Sequence, residues 1–296
     1  MSIIEQALDK TRGDRRQRAN SNSRRANDAD TERMAEAQAR RAAIDPAKGL
    51  IAQRARIDQG QCREQRILLD GSDERDMAAV AAYRMLRTRL LQRARTNKWT
   101  TIAVTSAGPN DGKTLTVINL ALSVAREKTR DVVLLDLDMR KPSVCRTLGV
   151  SPPRELRISL EQGQHLRDPF FTIGEDNLLI AGSVMPTEHA SELLASSHFD
   201  ELLRVVTEGV ANPIVLIDLP PVLLTDDALV VAPKIDAMLV VASEGLTGRA
   251  ELAKALHLLS EFPIAGVVLN RAAESTPGYD YSYSAGSAEN APDVGR

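Results

Sequence analysis

The chain has 296 residues, 43% of them hydrophobic and 26% charged, with a formal net charge of −2. That length holds one α/β domain of about 200 residues with appendages, and the balanced charge gives no global electrostatic case for nucleic acid. Two cysteines, Cys62 and Cys145, and four scattered histidines speak against a disulfide framework and a His/Cys metal cluster.

Residues 1–62 contain no aromatic residue, little Val or Leu, and many Arg, Asp, Asn and Gln. Such a stretch cannot bury enough apolar surface to offset its chain entropy, so a mostly disordered leader is expected there. Within it, Ser2 and Glu5 have capping-box spacing, and Ile3, Ile4, Ala7 and Leu8 form one apolar stripe. The pattern reads as a short docking helix or as a frayed helix with no partner. Arg12, Arg15, Arg16, Arg18, Arg24 and Arg25 read as a solvated linker or as attraction to an anionic membrane surface. No basic region followed by an apolar run opens the chain, and no apolar run reaches spanning length. A cytoplasmic protein is the expectation.

Residues 63–272 read as the globular domain. A helix rich in Ala, Leu, Met and Arg is expected from Asp73 to about Arg95. Thr101–Thr105 then reads as a strand, followed by a glycine-bearing loop and a helix through Val124. Further strand-length apolar runs are Val132–Leu135, Leu178–Ile180, Ile214–Ile217, Met238–Ala242 and Gly266–Leu269. Continuous apolar runs separated by helical periods predict an α/β fold with a parallel sheet buried on both faces. Ligands in such folds bind at the carboxyl ends of the strands. Residues 273–296 are small, polar and rich in Pro and Gly, which predicts a flexible tail. That tail holds three of the four tyrosines, Tyr279, Tyr281 and Tyr283; the fourth, Tyr83, is expected to pack in its helix.

Three strand ends carry chemistry. Ala107-Gly108-Pro109-Asn110-Asp111-Gly112-Lys113-Thr114 follows a strand and opens a helix, the pattern of a phosphate-binding loop with Ala at the usual first Gly. Gly112 permits close approach of backbone to phosphate, Lys113 supplies a point charge, and Thr114 offers a hydroxyl to Mg²⁺. Asp136 and Asp138 follow the next strand at i and i+2 and point the same way if the extended geometry continues. Such a pair can hold Mg²⁺ through water or accept a proton. Asp218 ends the strand Ile214–Ile217, where a P-loop protein needs a carboxylate opposite its Thr.

Together these motifs resemble the bacterial tyrosine kinases of exopolysaccharide synthesis, over about Tyr83 to Arg271 and the tail. The resemblance is carried by SAGPNDGKT (Ser106–Thr114), NLALSVA, VLLDLDMRKP, NLLIAG, SELLAS, IDLPPVLLTDDA and GVVLN (Gly266–Asn270). It implies a P-loop NTPase fold, ATP and Mg²⁺ as cofactors, and autophosphorylation of a C-terminal cluster that Tyr279, Tyr281 and Tyr283 match. By the same resemblance Gly108, Asn110, Asp111, Gly112, Lys113, Thr114 and Leu115 cradle the nucleotide, with Asn270 beside the adenine. Thr114, Asp138 and Asp218 organise the metal, Lys113, Asp136 and Asp138 are the catalytic set, and Asp136 takes the tyrosine proton. The implied partner is a separate membrane chain-length-determinant protein (a polysaccharide co-polymerase). Self-association is expected, with membrane contact indirect and no nucleic acid. The start MSIIEQALDK is similar to that of kinases encoded with exosortase-linked polysaccharide loci.

Some positions depart from the family pattern. Arg84 and Arg87 match its Glu-x-x-Arg-x-x-Arg motif, but Ala81 stands at the Glu, so the salt bridge of the family's octameric ring lacks its acid. Leu219 replaces a frequent Thr after Asp218. Two other readings are a nucleotide-switched positioning ATPase of the Min/Par kind and a non-catalytic ATP-binding adaptor. The first lacks its signature Lys, since that position is Gly108; the intact acidic set argues against the second.

Overall fold

The apolar runs become the central strands of one sheet. The protein is described by a computed structural model covering residues 49–69 and 76–272; the N-terminal helix pattern, the arginine tract and the tyrosine tail lie outside the described residues. The strands are β1 (Ala52–Arg54), β2 (Thr101–Ser106), β3 (Val132–Asp136), β4 (Phe170–Thr172), β5 (Leu178–Ala181), β6 (Ile214–Asp218), β7 (Ala237–Ser243) and β8 (Ile264–Asn270). They lie in the order β1-β4-β5-β3-β6-β2-β7-β8, all pairs parallel except β4 with β5. Every residue of β2, β3, β5, β6 and β7 is buried, as expected for strands covered by helices on both faces.

Alternation along each strand feeds two cores. Ile102, Val104 and Leu134 enter the one beneath α2 (Met77–Asn97) and α3 (Lys113–Ala125), with Leu90, Val117 and Ala121. Ala103, Val133 and Leu135 enter the other, with Phe170, Phe199 and Leu202, beneath α5 (Leu156–Gln162), α7 (Ser197–Glu208) and α9 (Arg249–Leu258). Short helices α4 (Val144–Leu148), α6 (Ala190–Ala195) and α8 (Asp227–Val231) follow strand ends. Arg87 lies 2.9 Å from Glu127 and donates to the Ser123 carbonyl at 2.9 Å, which fastens α2 to α3. Tyr83 is half-buried against the first core, and burial pushes its phenol pKa up.

Chain order sets the site. β6 is inserted between β2 and β3, with Asp218 paired in register to Val104 on one side and Asp136 on the other. All three motif-bearing strands therefore end at one edge, side by side.

The boundary expected at residue 62 is displaced toward the N-terminus. β1 pairs with β4, and α1 (Gln59–Glu64) follows it, so folded structure precedes residue 63. Composition misread this stretch because backbone, not apolar bulk, fastens it: Ile51 N donates to the Arg167 carbonyl and Ala55 N to that of Thr172. Asp58 caps α1 by accepting from Gly60 N and Gln61 N at 2.8 and 3.1 Å. Cys62, Ile67 and Leu68 then bury behind it. The α2 helix, expected from Asp73, begins at Met77; residues 73–75 lie outside the described residues.

Asn119 on α3 pins the segment that follows α1. Its Oδ1 accepts from Leu68 N at 2.9 Å and its Nδ2 donates to the Arg66 carbonyl at 3.0 Å. Asn119→Ala leaves a buried N–H and a carbonyl unpaired, for an expected loss of ~1–3 kcal/mol. A urea titration reads it directly, and an unchanged midpoint contradicts this role for the side chain.

Candidate active site

The phosphate loop runs from β2 into α3 and is braced before any ligand arrives. Asp111 does the bracing: Oδ2 accepts from Gly108 N at 3.1 Å, and Oδ1 accepts from Thr247 Oγ1 at 2.6 Å. Its carbonyl accepts from Asn270 Nδ2 at 2.9 Å, while Ser106 Oγ donates to the Gly108 carbonyl at 2.7 Å. Arg271 donates to the Asn110 carbonyl at 2.9 Å. The Asp111 side chain is thus used inside the protein, and only its backbone is left to meet a phosphate.

Gly112 has φ +86°, and a Cβ there would sit 2.2 Å from Asn270 Nδ2. Only glycine adopts this conformation without strain or collision. Gly112→Ala should weaken nucleotide binding ~10-fold or more, since a strained backbone position costs roughly 1–3 kcal/mol. Titration with a fluorescent ATP analogue tests this, and affinity equal to the parent chain would count against a cradle at Gly112.

Lys113 opens α3 and points into the acids. Its Nζ lies 2.7 Å from Asp138 Oδ2 and 3.4 Å from Asp218 Oδ1. Thr114 Oγ1 donates to Asp218 Oδ2 at 2.6 Å and lies 3.1 Å from Ser143 Oγ. Asp138 Oδ1 accepts from Lys141 N at 3.1 Å. The side chain of Leu115 packs against the first core.

Asp136 stands behind this group. Its Oδ2 accepts from Ser143 N and Val144 N at 2.9 and 2.8 Å, the opening amides around α4. Its Oδ1 is buried with no hydrogen-bond partner. Burial, then the charge of Asp218, push the Asp136 pKa up to about 8, against the pull of the Val144 amide and Lys113. Burial also raises Asp218, although Lys113 and Thr114 oppose it. Burial works against the Lys113 ammonium, but Asp218 and Asp138 outweigh it and hold the pKa above its ordinary value.

Three carboxylates therefore share one ammonium in a buried setting, with one carboxylate oxygen unpartnered. That excess of negative charge is the chemistry of a cation site, and its oxygen-only donors suit Mg²⁺. Among the described residues no cluster of three His, Cys, Asp or Glu groups could hold a metal by itself. Mg²⁺ is commonly held by one or two carboxylates and completed by substrate phosphates, so the residues fit a metal–nucleotide and not a bare ion.

The structure brings Lys113, Thr114, Asp136, Asp138 and Asp218 together at one strand edge and sets Asn270 over Gly112. Two participants were missed in the sequence. Ser143 has a weak signal, a Lys-Pro-Ser turn after the paired acids; Thr247 has none, because it meets Asp111 from 136 positions away.

Strand, phosphate loop, helix and flanking acids define a P-loop nucleotide-binding protein. No family model matches the chain. Curated relatives do: the tyrosine-protein kinase CpsD of Streptococcus pneumoniae serotype 4 is 32% identical over 183 residues, 59% of this chain and 77% of that protein. The tyrosine-protein kinase wzc of Salmonella typhimurium is 32% identical over 213 residues, 69% of this chain but 28% of that longer protein. Among solved structures, the kinase domain of the Escherichia coli tyrosine kinase ETK superposes with a TM-score of 0.62 at 26% identity, covering 73% of this chain and 84% of that one. The chain belongs to the bacterial tyrosine kinases, a family of enzymes.

Proposed function

We propose that the chain is an ATP- and Mg²⁺-dependent tyrosine autokinase that phosphorylates Tyr279, Tyr281 and Tyr283. It acts in the cytoplasm with a separate membrane chain-length-determinant protein, and thereby regulates exopolysaccharide synthesis, chain length or export. The observation that carries this reading is the convergence of Lys113, Thr114, Asp138 and Asp218, linked by contacts of 2.7 Å (Lys113–Asp138), 3.4 Å (Lys113–Asp218) and 2.6 Å (Thr114–Asp218), at the end of the phosphate loop.

Phosphoryl transfer asks a protein mainly for positioning and charge neutralisation. When bound, Mg²⁺ supplies the neutralisation of the phosphate oxygens. Loop amides around Gly112 orient the phosphates, and Lys113 places its charge on the terminal one. Thr114 and Asp218 hold each other in place for the metal side. Asp136 is basic for a carboxylate and keeps one oxygen unpartnered, so that once a bound cation favours its ionised form it suits acceptance of a phenolic proton.

The test is mass spectrometry of the full chain after incubation with ATP and Mg²⁺, with and without the membrane partner. Phosphate on the tail tyrosines, lost when all three become Phe, is the expected outcome. A tail that stays unmodified under both conditions ends the autokinase reading. Mixing active chain with a Lys113→Met acceptor at several concentrations separates transfer within a subunit from transfer between subunits.

A further inference from the structure

Three residues in the segments that carry the family resemblance take no part in the site described above: Arg140 after the paired acids, Ser191 in α6 and Asp227 in α8. The structure joins them. Arg140 Nε and Nη2 donate to Asp227 Oδ2 and Oδ1 at 3.0 and 3.2 Å, a bidentate pair. Nη2 also donates to Ser191 Oγ at 2.9 Å, and Nη1 to the Glu188 carbonyl at 3.4 Å. Ser191 Oγ lies 2.6 Å from Asp227 Oδ1 and 2.7 Å from Asp226 Oδ1, so its one proton is shared between two carboxylates. The Asp227 side chain is 0% exposed, whereas that of Arg140 is 36% exposed.

A buried carboxylate paired to an arginine is a poor device for stability alone, because desolvation offsets much of the attraction. Its place in the fold points elsewhere. Arg140 lies two residues beyond Asp138, on the loop leaving β3. Asp227 opens α8, at the end of the loop leaving β6 and Asp218. The two loops start from neighbouring strands, with Asp136 and Asp218 in register. Asp138 and Asp218 repel each other, and among the described residues Lys113 bridges them. A second tie, beyond the acids, limits how far the loops can part. The same loop is held from a third side, where the Thr187 amide donates to the Met139 carbonyl at 2.9 Å.

Resting on the reading of the site as a metal–nucleotide centre, we propose that Arg140 is a positioning residue. Gripped by Asp227 and Ser191, it ties the loop of Asp138 to the helix that follows Asp218, and so sets the separation of the two carboxylates that share one cation. Its side-chain partners are Asp227, Ser191, Asp226 and the Glu188 carbonyl, away from the acids of the site. Its removal should therefore change how the site uses Mg²⁺, while leaving the phosphate loop, braced separately by Asp111, able to hold nucleotide.

The test uses the full chain and a fluorescent ATP analogue, titrated with Mg²⁺ and again in EDTA, on Arg140→Ala, Arg140→Lys and Ser191→Ala. Arg140→Ala should raise the Mg²⁺ concentration for half-maximal tight binding ~10-fold or more, the usual cost of losing a group that orients metal ligands. Affinity in EDTA should hardly move. Arg140→Lys, which keeps the charge but not the fork, should recover part of the loss, and Ser191→Ala should show a smaller shift in the same direction. A folded Arg140→Ala chain with parental Mg²⁺ dependence, or with equal losses in Mg²⁺ and EDTA, overturns the proposal. If Arg140→Ala does not fold, Ser191→Ala decides, since it keeps the bidentate pair; an unshifted Mg²⁺ dependence then overturns it. A parent chain that binds Mg²⁺–nucleotide yet forms no phosphotyrosine removes the autokinase reading and leaves this one standing. A parent chain whose nucleotide affinity ignores Mg²⁺ removes both.

Discussion

Lys113→Met should lower the rate of tail phosphorylation by ~10²–10³-fold, the range seen when one preorganised electrostatic contact to a reacting centre is removed. Met matches the length and apolar stem of Lys, so the change deletes charge with little change of shape. The loss is larger than for a surface lysine because Nζ sits 2.7 Å from Asp138 with its side chain 11% exposed, where charge is poorly screened. The same substitution acts on the ligand-free protein. Without the ammonium, Asp136, Asp138 and Asp218 face one another with no cation among their side chains. The raised pKa values of Asp136 and Asp218 should rise further, and the free chain should lose stability at neutral pH. Mg²⁺ with nucleotide should restore part of that stability. Quantitative mass spectrometry over a time course gives the rate, and thermal unfolding with and without Mg²⁺–nucleotide gives the second effect. Persistent tail labelling by the purified Lys113→Met chain, incubated alone with ATP and Mg²⁺, would mean that the transfer does not depend on the Lys113 charge.

How much of this was legible beforehand depended on the range of the interactions. The central strands β2, β3, β5, β6 and β7 were readable because a strand buried on both faces must be a continuous apolar run. Their order was not, yet the acids at their ends were still identifiable, since Lys113, Thr114, Asp136, Asp138 and Asp218 belong to local spacings around strand ends. β1 and β4 were missed for a different reason. Each has three residues, too few for a period, and β1 lies in a polar stretch fastened by backbone pairing to β4. Contacts that join distant segments left no trace in local pattern: Thr247 with Asp111, Asn119 with Leu68, and Arg140 with Ser191 and Asp227. Asp111 illustrates the limit well. Its position in the loop predicted a role at the phosphates, but its carboxylate is spent on the Gly108 amide and the Thr247 hydroxyl.

Asp136→Asn should have opposite effects on activity and on the stability of the free chain. Activity should fall ~10²-fold or more, because a positioned general base contributes roughly 10²–10⁴. Stability should rise. In the folded chain the Asp136 carboxyl keeps its proton up to about pH 8, whereas the unfolded chain releases it near the ordinary value of 3.8. Between those values the native state binds more protons than the unfolded state, so stability falls as pH rises across that window. The stabilisation is complete below about pH 4 and lost above about pH 8, by an amount on the order of several kcal/mol. Asn carries no titrating proton, and its amide oxygen can still accept from Ser143 N and Val144 N. The variant should therefore show a shallower decline, with Asp218 left to supply the remainder because burial raises its pKa too. Urea titrations from pH 5 to pH 8.5 in EDTA measure both slopes. Mg²⁺ with nucleotide should flatten the parent's slope, since a cation favours the ionised carboxylates that burial penalises. If parent and variant lose stability in parallel as the pH is raised, Asp136 is not the group whose burial sets the pH dependence, and Asp218 is left to carry it.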